Sequence, residues 1–398
     1  MSTEYLARFQ EITLQILEYY TDAIQFDYHD VDRAMEEIDE LERKSEIRVP
    51  FKVHEIFSSL YVTLAKGYIS SKPNKAVDLF RKGIYIREKI LRNEPEVLVR
   101  AENLLNLGSD YDDLAKVRDL EENLHRAIKA YQEALTIYTK EEHPIKYADT
   151  QNALGIGYWT LAEVRDAQEN LEKSLRALQE ALTIYTKETH PIDYAMTQNN
   201  LGLTYWEFAK VRDTEEYTKK AIKAYQEALP IYTKEEHPIK YAGTMNNLGM
   251  AYNDLARVSD LEENLEKTLR ALQEALTIYT KETHPIDYAM TQNCVGGLYG
   301  QLSEVRDTED NLQKAIKAFQ EALTIRTKEA LPINYATTQS NLGKAYEEFA
   351  KVRDTEEYTK KAIKAYQEAL PIYKKEKLLS KNTEIQKNLE RILLNKNR

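Results

Sequence analysis

The stretch YAMTQNNLGLTYWEFAKVRD, Tyr194–Asp213, decides the fold. Its Leu201-Gly202 pair recurs as Leu107-Gly108, Leu154-Gly155, Leu248-Gly249, Val295-Gly296 and Leu342-Gly343, always 47 residues apart. A fixed period of roughly 20–50 residues marks small supersecondary units that bury their apolar faces only by stacking on one another. Such a chain works by presenting a long surface, so the period speaks to binding mode and says nothing of the partner's identity.

Each unit reads as two helices. In residues 146–192, Ala148, Leu154, Tyr158 and Leu161 follow helical spacing over roughly 147–164. Leu171, Leu175, Leu178, Ala181, Leu182 and Tyr185 form a second stripe over roughly 167–187. Asp166 lies between them with Glu169 three residues on, the spacing of a capping box. The Asp recurs at Asp119, Asp213, Asp260, Asp307 and Asp354. His-Pro at 143–144, 190–191, 237–238 and 284–285, and Leu331-Pro332 after them, are expected to close the second helix, because proline cannot continue one. Equivalent histidines in successive units would stand about 20 Å apart, given about 8–10 Å between packed helices. No metal bridges that distance, so a cation near a helix C-terminus is the better account. Pro230 and Pro371 replace threonines 136, 183, 277 and 324 and are expected to bend the helices that carry them.

Composition supports helix throughout. Only 12 glycines and 10 prolines occur in 398 residues, too few for a turn-rich β fold. The formal net charge of −11 argues against nucleic acid, which needs a basic face. Cys294 is the only cysteine, which excludes an internal disulfide or a thiolate zinc cluster. The first 20 residues do not read as a secretory signal, and no run of 18 apolar residues occurs, so a cytoplasmic location is expected. The expected organisation is an N-terminal helical cap at 1–97, six repeats at 98–379 and a C-terminal capping helix at 380–398. Within the cap, helices are expected near 4–24, 29–44, 51–70 and 74–92, with Ala76, Phe80 and Gly83 marking one further repeat-like helix. The last helix, 382–395, should turn Ile385, Leu389, Ile392 and Leu393 inward, since an array must cover its terminal apolar face.

With Gly155 as position 8, Leu154 is position 7 and Tyr158 position 11; Tyr111, Tyr205, Tyr252, Tyr299 and Tyr346 repeat the latter. In the second helices, Ala127-Tyr131-Ala134, Ala221-Tyr225-Ala228, Ala315-Phe319-Ala322 and Ala362-Tyr366-Ala369 share one spacing. The pattern resembles the tetratricopeptide repeat, in a lengthened form similar to arrays of prokaryotic regulatory proteins. Of the 13 additional residues, seven are placed between the helices and six between units. The resemblance implies an all-α, right-handed solenoid of antiparallel helix pairs whose positions 2, 5, 6, 9, 12 and 13 line a concave groove.

Positions 5 and 6 then carry Asn106, Asn152, Asn199, Asn200, Asn246, Asn247, Asn293 and Asn341. Asparagine both donates and accepts, so such a ladder suits an extended peptide backbone, as the resemblance also implies; the alternative is that it ties neighbouring helices. Position 12 carries both tryptophans, Trp159 and Trp206, absent from the other units and therefore not demanded by packing. A packing role beneath an inter-helix loop is the competing account. Ile156, Leu203 and Met250, with Met196 and Met290, extend an apolar floor, and Glu207 and Asp254 belong to an acidic rim. The expected occupant is a protein or peptide segment with apolar and basic residues, and not nucleic acid or membrane. Capture of an acidic C-terminus is not expected, because Lys344 is the one base at these positions.

No phosphate loop, nucleophile elbow, metalloprotease helix or Cys-x-x-Cys is present, so no catalytic residue, metal or cofactor is assigned. The expected function is a non-enzymatic interaction scaffold or regulatory subunit; a self-assembling array and a sensor of a small ligand are the alternatives. Residues 177–199 are identical to 271–293, and 207–232 to 348–373, which points to internal duplication.

Overall fold

The computed structural model describes residues 28–45, 51–93, 96–353 and 355–396. The described residues form sixteen helices and no strand. The chain divides into two compact units, 1–189 and 190–398. The first holds α1 (Tyr28–Ser45), α2 (Phe51–Tyr68), α3 (Pro73–Asn93), α4 (Val97–Ala115), α5 (Leu120–Leu135), α6 (Pro144–Ala162) and α7 (Ala167–Ala181). The second holds α8 (Pro191–Val211), α9 (Thr214–Ala228), α10 (Pro238–Ala256), α11 (Leu261–Leu276), α12 (Pro285–Val305), α13 (Thr308–Leu323), α14 (Pro332–Val352), α15 (Thr355–Lys375) and α16 (Leu379–Lys396). Within each unit, consecutive helices pack on one another, which is an all-α repeat solenoid.

The repeated glycine permits one close approach per repeat. A Cβ on Gly202 would lie 2.5 Å from the Tyr225 ring, and one on Gly296 would lie 2.6 Å from Phe319. The partner is thus the aromatic or leucine of the repeat's own second helix. The position-11 tyrosine turns to the preceding repeat: Tyr252 accepts a hydrogen bond from Gln226 of the preceding second helix at 3.0 Å.

The helix boundaries differ from those expected. Pro191, Pro238, Pro285 and Pro332 open the first helices at their N-terminal turn, where a missing N–H costs nothing. The second helices end nine or ten residues before the prolines, and a linker such as 229–237 comes next. Tyr232 anchors that linker in the core, and the Thr233 hydroxyl accepts from Glu236 N–H at 3.2 Å. His237 meets Tyr232 edge to face, with ring centroids 5.9 Å apart and planes at 76°, so it packs before the next helix and does not balance a helix C-terminus. The residues expected as an inter-helix insertion lengthen the first helix instead, leaving only 212–213 between α8 and α9. No long loop covers Trp206.

The capping reading also changes. Asp119, Asp166, Asp213, Asp260 and Asp307 adopt left-handed backbone, and of these only Asp213 accepts a cap hydrogen bond, from Glu216 N–H at 3.2 Å. Aspartate tolerates this region better than most residues, which accounts for its recurrence. The side chain of Asn311 bonds back to the Arg306 carbonyl at 2.7 Å and holds the turn. Asp354 and the expected helix at 4–24 lie outside the described residues, as does the side chain of Leu393.

Pro230 comes after the end of α9 and bends nothing, whereas Pro371 lies inside α15. Ile385 and Ile392 of α16 are buried with Leu389 packed beside them, and Arg391 reaches Glu347 at 2.7 Å. In the first unit, α1 buries Val31, Met35 and Ile38.

Candidate functional site

In the second unit, residues at positions 5, 6, 12 and 13 of the first helices α8, α10, α12 and α14 form hydrogen bonds between neighbouring first helices. Neighbouring first helices are tied across this face by a repeated register. Asn247 Nδ2 donates to Asn199 Oδ1 at 3.5 Å and Asn341 Nδ2 to Asn293 Oδ1 at 3.3 Å, each pair 48 residues apart. Thr244 Oγ1 reaches Asn199 Oδ1 at 3.3 Å and Thr291 Oγ1 reaches Asn246 Oδ1 at 3.2 Å, each 45 apart. Each asparagine thus spends part of its capacity on the scaffold. Asn246 is buried at 6% exposure, while Asn199, Asn200, Asn247, Asn293 and Asn341 stay half-buried.

The apolar members share this face. Leu203 and Trp206 pack at the edge of the cluster formed by Tyr225, Leu248 and Leu255. Met196 packs beside Ala195, Ala228 and Tyr232, Met250 is half-buried, and Met290 is 39% exposed. In the first unit, Asn106 and Trp159 are half-buried, Asn152 is buried and Ile156 is 36% exposed. Trp159 and Trp206 therefore belong to different compact units.

Trp206 is held firmly. Its Nε1 donates to Asp254 Oδ2 at 2.7 Å, again 48 residues on, and Lys210 Nζ lies 4.3 Å from its ring centroid. The acidic rim is engaged internally: Glu207 pairs with Lys210 at 2.6 Å, and Asp254 also faces Arg257 at 3.7 Å.

One mismatch sets Trp206 apart. In the first repeat, Tyr131 OH donates to Asp112 at position 12, at 2.6 Å; in the sixth, Tyr366 OH donates to Glu347 at position 12, at 3.2 Å. In the second, fourth and fifth repeats Leu178, Leu272 and Phe319 replace the tyrosine and need no acceptor. The third repeat keeps Tyr225 yet carries Trp206 at position 12. The Tyr225 hydroxyl is buried without a hydrogen-bond partner among the described residues, and burial holds its pKa well above the usual tyrosine value. An orphaned buried hydroxyl costs about 1–3 kcal/mol. The sequence shows both partners, but nothing in it says that position 12 faces this tyrosine.

Among the described residues no group of three His, Cys, Asp or Glu could hold a metal ion, and no helix is long and apolar enough to cross a membrane. Cys294 is half-buried, and burial pushes its thiol pKa up.

Comparison with known proteins supports the repeat type. The tetratricopeptide repeat profile matches residues 195–239. The chain is similar in structure to the apo form of RapI, at a TM-score of 0.50 and 15% identity, over 96% of this chain and 97% of that one. It is also similar to a Rap protein complexed with competence and sporulation factor, at 0.48 and 13%, over 97% and 98%. A third similar structure is an IFIT1 mutant with m7Gppp-AAAA, at 0.44 and 14%, over 95% and 79%. No curated protein matches the sequence.

Proposed function

We propose, for a chain built of tetratricopeptide repeats, that the first-helix face of the second unit binds an extended segment of a partner protein, making the chain an interaction scaffold or regulatory subunit. The observation that carries this reading is the exchange at Trp206. Residues 207–232 and 348–373 are identical, and the residue just before each copy is Trp206 in one and Glu347 in the other. The glutamate satisfies its tyrosine and the tryptophan does not. Packing therefore favours an acid at this position, and a half-buried indole there fits recognition better than stability. Tryptophan is enriched at binding hot spots because it offers a large rigid face with one polar edge.

The segment would lay an apolar side chain against Trp206, Leu203 and Met250, and set its main chain against the free capacity of Asn199, Asn247, Asn293 and Asn341. Because Glu207 and Asp254 already have internal partners, the apolar contact ranks above a basic one.

The test selects peptides from a random displayed library on the full chain and measures their affinity for wild type and W206E. The variant restores an acceptor to Tyr225 and should keep its helicity and thermal midpoint. Affinity should fall at least about tenfold, the loss expected of a hot spot. Equal affinity for both proteins would remove Trp206, and with it the basis of this site.

A further inference from the structure

One helix of the first unit runs against the charge of the chain. α3 carries six basic residues and two acidic ones, within a chain of net charge −11. Between α3, the end of α4 and the start of α5 lies an open cavity of about 240 Å³. Three arginines line it: Arg81 from α3, Arg118 from the turn between α4 and α5, and Arg126 from α5. Tyr85 lines it too, one turn beyond Arg81 and 62% exposed.

Two of these arginines have donors to spare, and the repeat register gives the reason. Elsewhere the arginine of this turn is spent on the preceding repeat. Arg165 pairs with Glu121, Arg306 with Glu262 at 2.6 Å and Arg353 with Glu309 at 2.7 Å, each 44 residues back. Forty-four residues before Arg118 stands the neutral Asn74. Among the described residues the one ion pair of Arg118 is with Asp119 at 3.9 Å, too long for a hydrogen bond. Arg81 makes no hydrogen bond or ion pair among the described residues. At 47-residue intervals after it stand Ile128, Leu175, Ile222, Leu269, Ile316 and Ile363, so the repeat itself places an apolar side chain there. Two acids of the cavity, by contrast, are engaged. Glu88 accepts from Tyr111 OH at 2.7 Å, and Glu122 pairs with Arg126 at 2.5 Å.

We propose that this cavity binds a small phosphomonoester, with its phosphate held by Arg81 and Arg118 and its organic part laid on the Tyr85 ring. A guanidinium fork meets two phosphate oxygens at once, and two unspent forks match a dianion; a carboxylate would leave one of them idle. The cavity is several times the roughly 30 Å³ share of one water molecule, more room than a bare ion needs. The exposed Tyr85 ring gives the rest of the ligand a flat apolar wall. The site lies in the first unit and does not depend on the groove proposed above.

The test follows the thermal midpoint of the full chain with phenyl phosphate, inorganic phosphate or benzoate. Each is used at about 5 mM and pH 7.5, where the phosphates are largely dianions, against sodium chloride of equal ionic strength. Arg81 and Arg118 are exposed, so R81Q and R118Q should keep wild-type helicity. R165Q removes a paired arginine from the same turn of the next repeat and controls for charge alone. Phenyl phosphate should raise the midpoints of wild type and R165Q by about 2 °C or more, as a ligand of the native state does. R81Q and R118Q should move less than half as far. Inorganic phosphate should act more weakly and benzoate not at all. In Y85A the response to phenyl phosphate should fall to that of inorganic phosphate. No response to phenyl phosphate, or an equal one in wild type, R81Q and R118Q, would overturn the site. An equal response to benzoate would overturn the phosphate assignment. An undiminished response of Y85A, or one of wild type to inorganic phosphate as large as to the ester, would overturn the role given to the organic part.

Discussion

Gly202 and Gly297 lie one position apart in repeat register, yet their surroundings predict opposite responses to the same substitution. The Tyr225 ring leaves no room for a Cβ on Gly202, so G202A should cost about 1–3 kcal/mol through overpacking. Open space surrounds Gly297, so G297A should gain about 0.5–1 kcal/mol of helix propensity. Urea unfolding of the two variants checks the pair. The tyrosines offer a second matched comparison. Y366F removes a bond to Glu347 and should cost about 0.5–1.5 kcal/mol; Y225F removes an orphaned hydroxyl and should be neutral or stabilising. If Y225F proved as costly as Y366F, the hydroxyl of Tyr225 would have a partner and the mismatch at Trp206 would vanish.

At the scale of the element, α4 shows what the acid at position 12 does when it is kept. Burial pushes the Asp112 carboxyl up to about 6, against the opposing Tyr131 hydrogen bond and the Lys116 charge. Its folded value lies above that of an unfolded chain, near 4. Between roughly pH 4 and 6 the native state therefore binds the extra proton, and this group's contribution to stability falls as pH rises through that window. D112N keeps an acceptor for Tyr131 and removes the buried charge. It should raise the thermal midpoint at pH 7.5, with the gain fading by pH 4; a gain independent of pH would contradict the assignment.

The helices were legible because period, glycine and alanine all answer to one packing demand. Their ends were not, because an end depends on the residues beyond it. The same 26 residues stop at Ala228 in α9 and run on to Lys375 in α15. Thr233 builds a turn after the first copy, and Lys374 stands in its place after the second. The site was legible in part. Trp206 and the asparagine ladder could be read from position alone, but the internal bonds of the ladder could not.

Across the whole molecule, the near-identical repeats act as internal controls for one another. Most positions repeat because packing holds them, and Trp206 on α8 departs from that pattern on a first helix of the second unit. The measurement that bears most directly on this account is a hydrogen-exchange footprint of a library-selected peptide on the full chain. Protection is expected on α8, α10, α12 and α14, strongest around Trp206 and Asn293, with the second helices unchanged. Protection on the second helices α9, α11, α13 and α15, with the first helices unaffected, would contradict it.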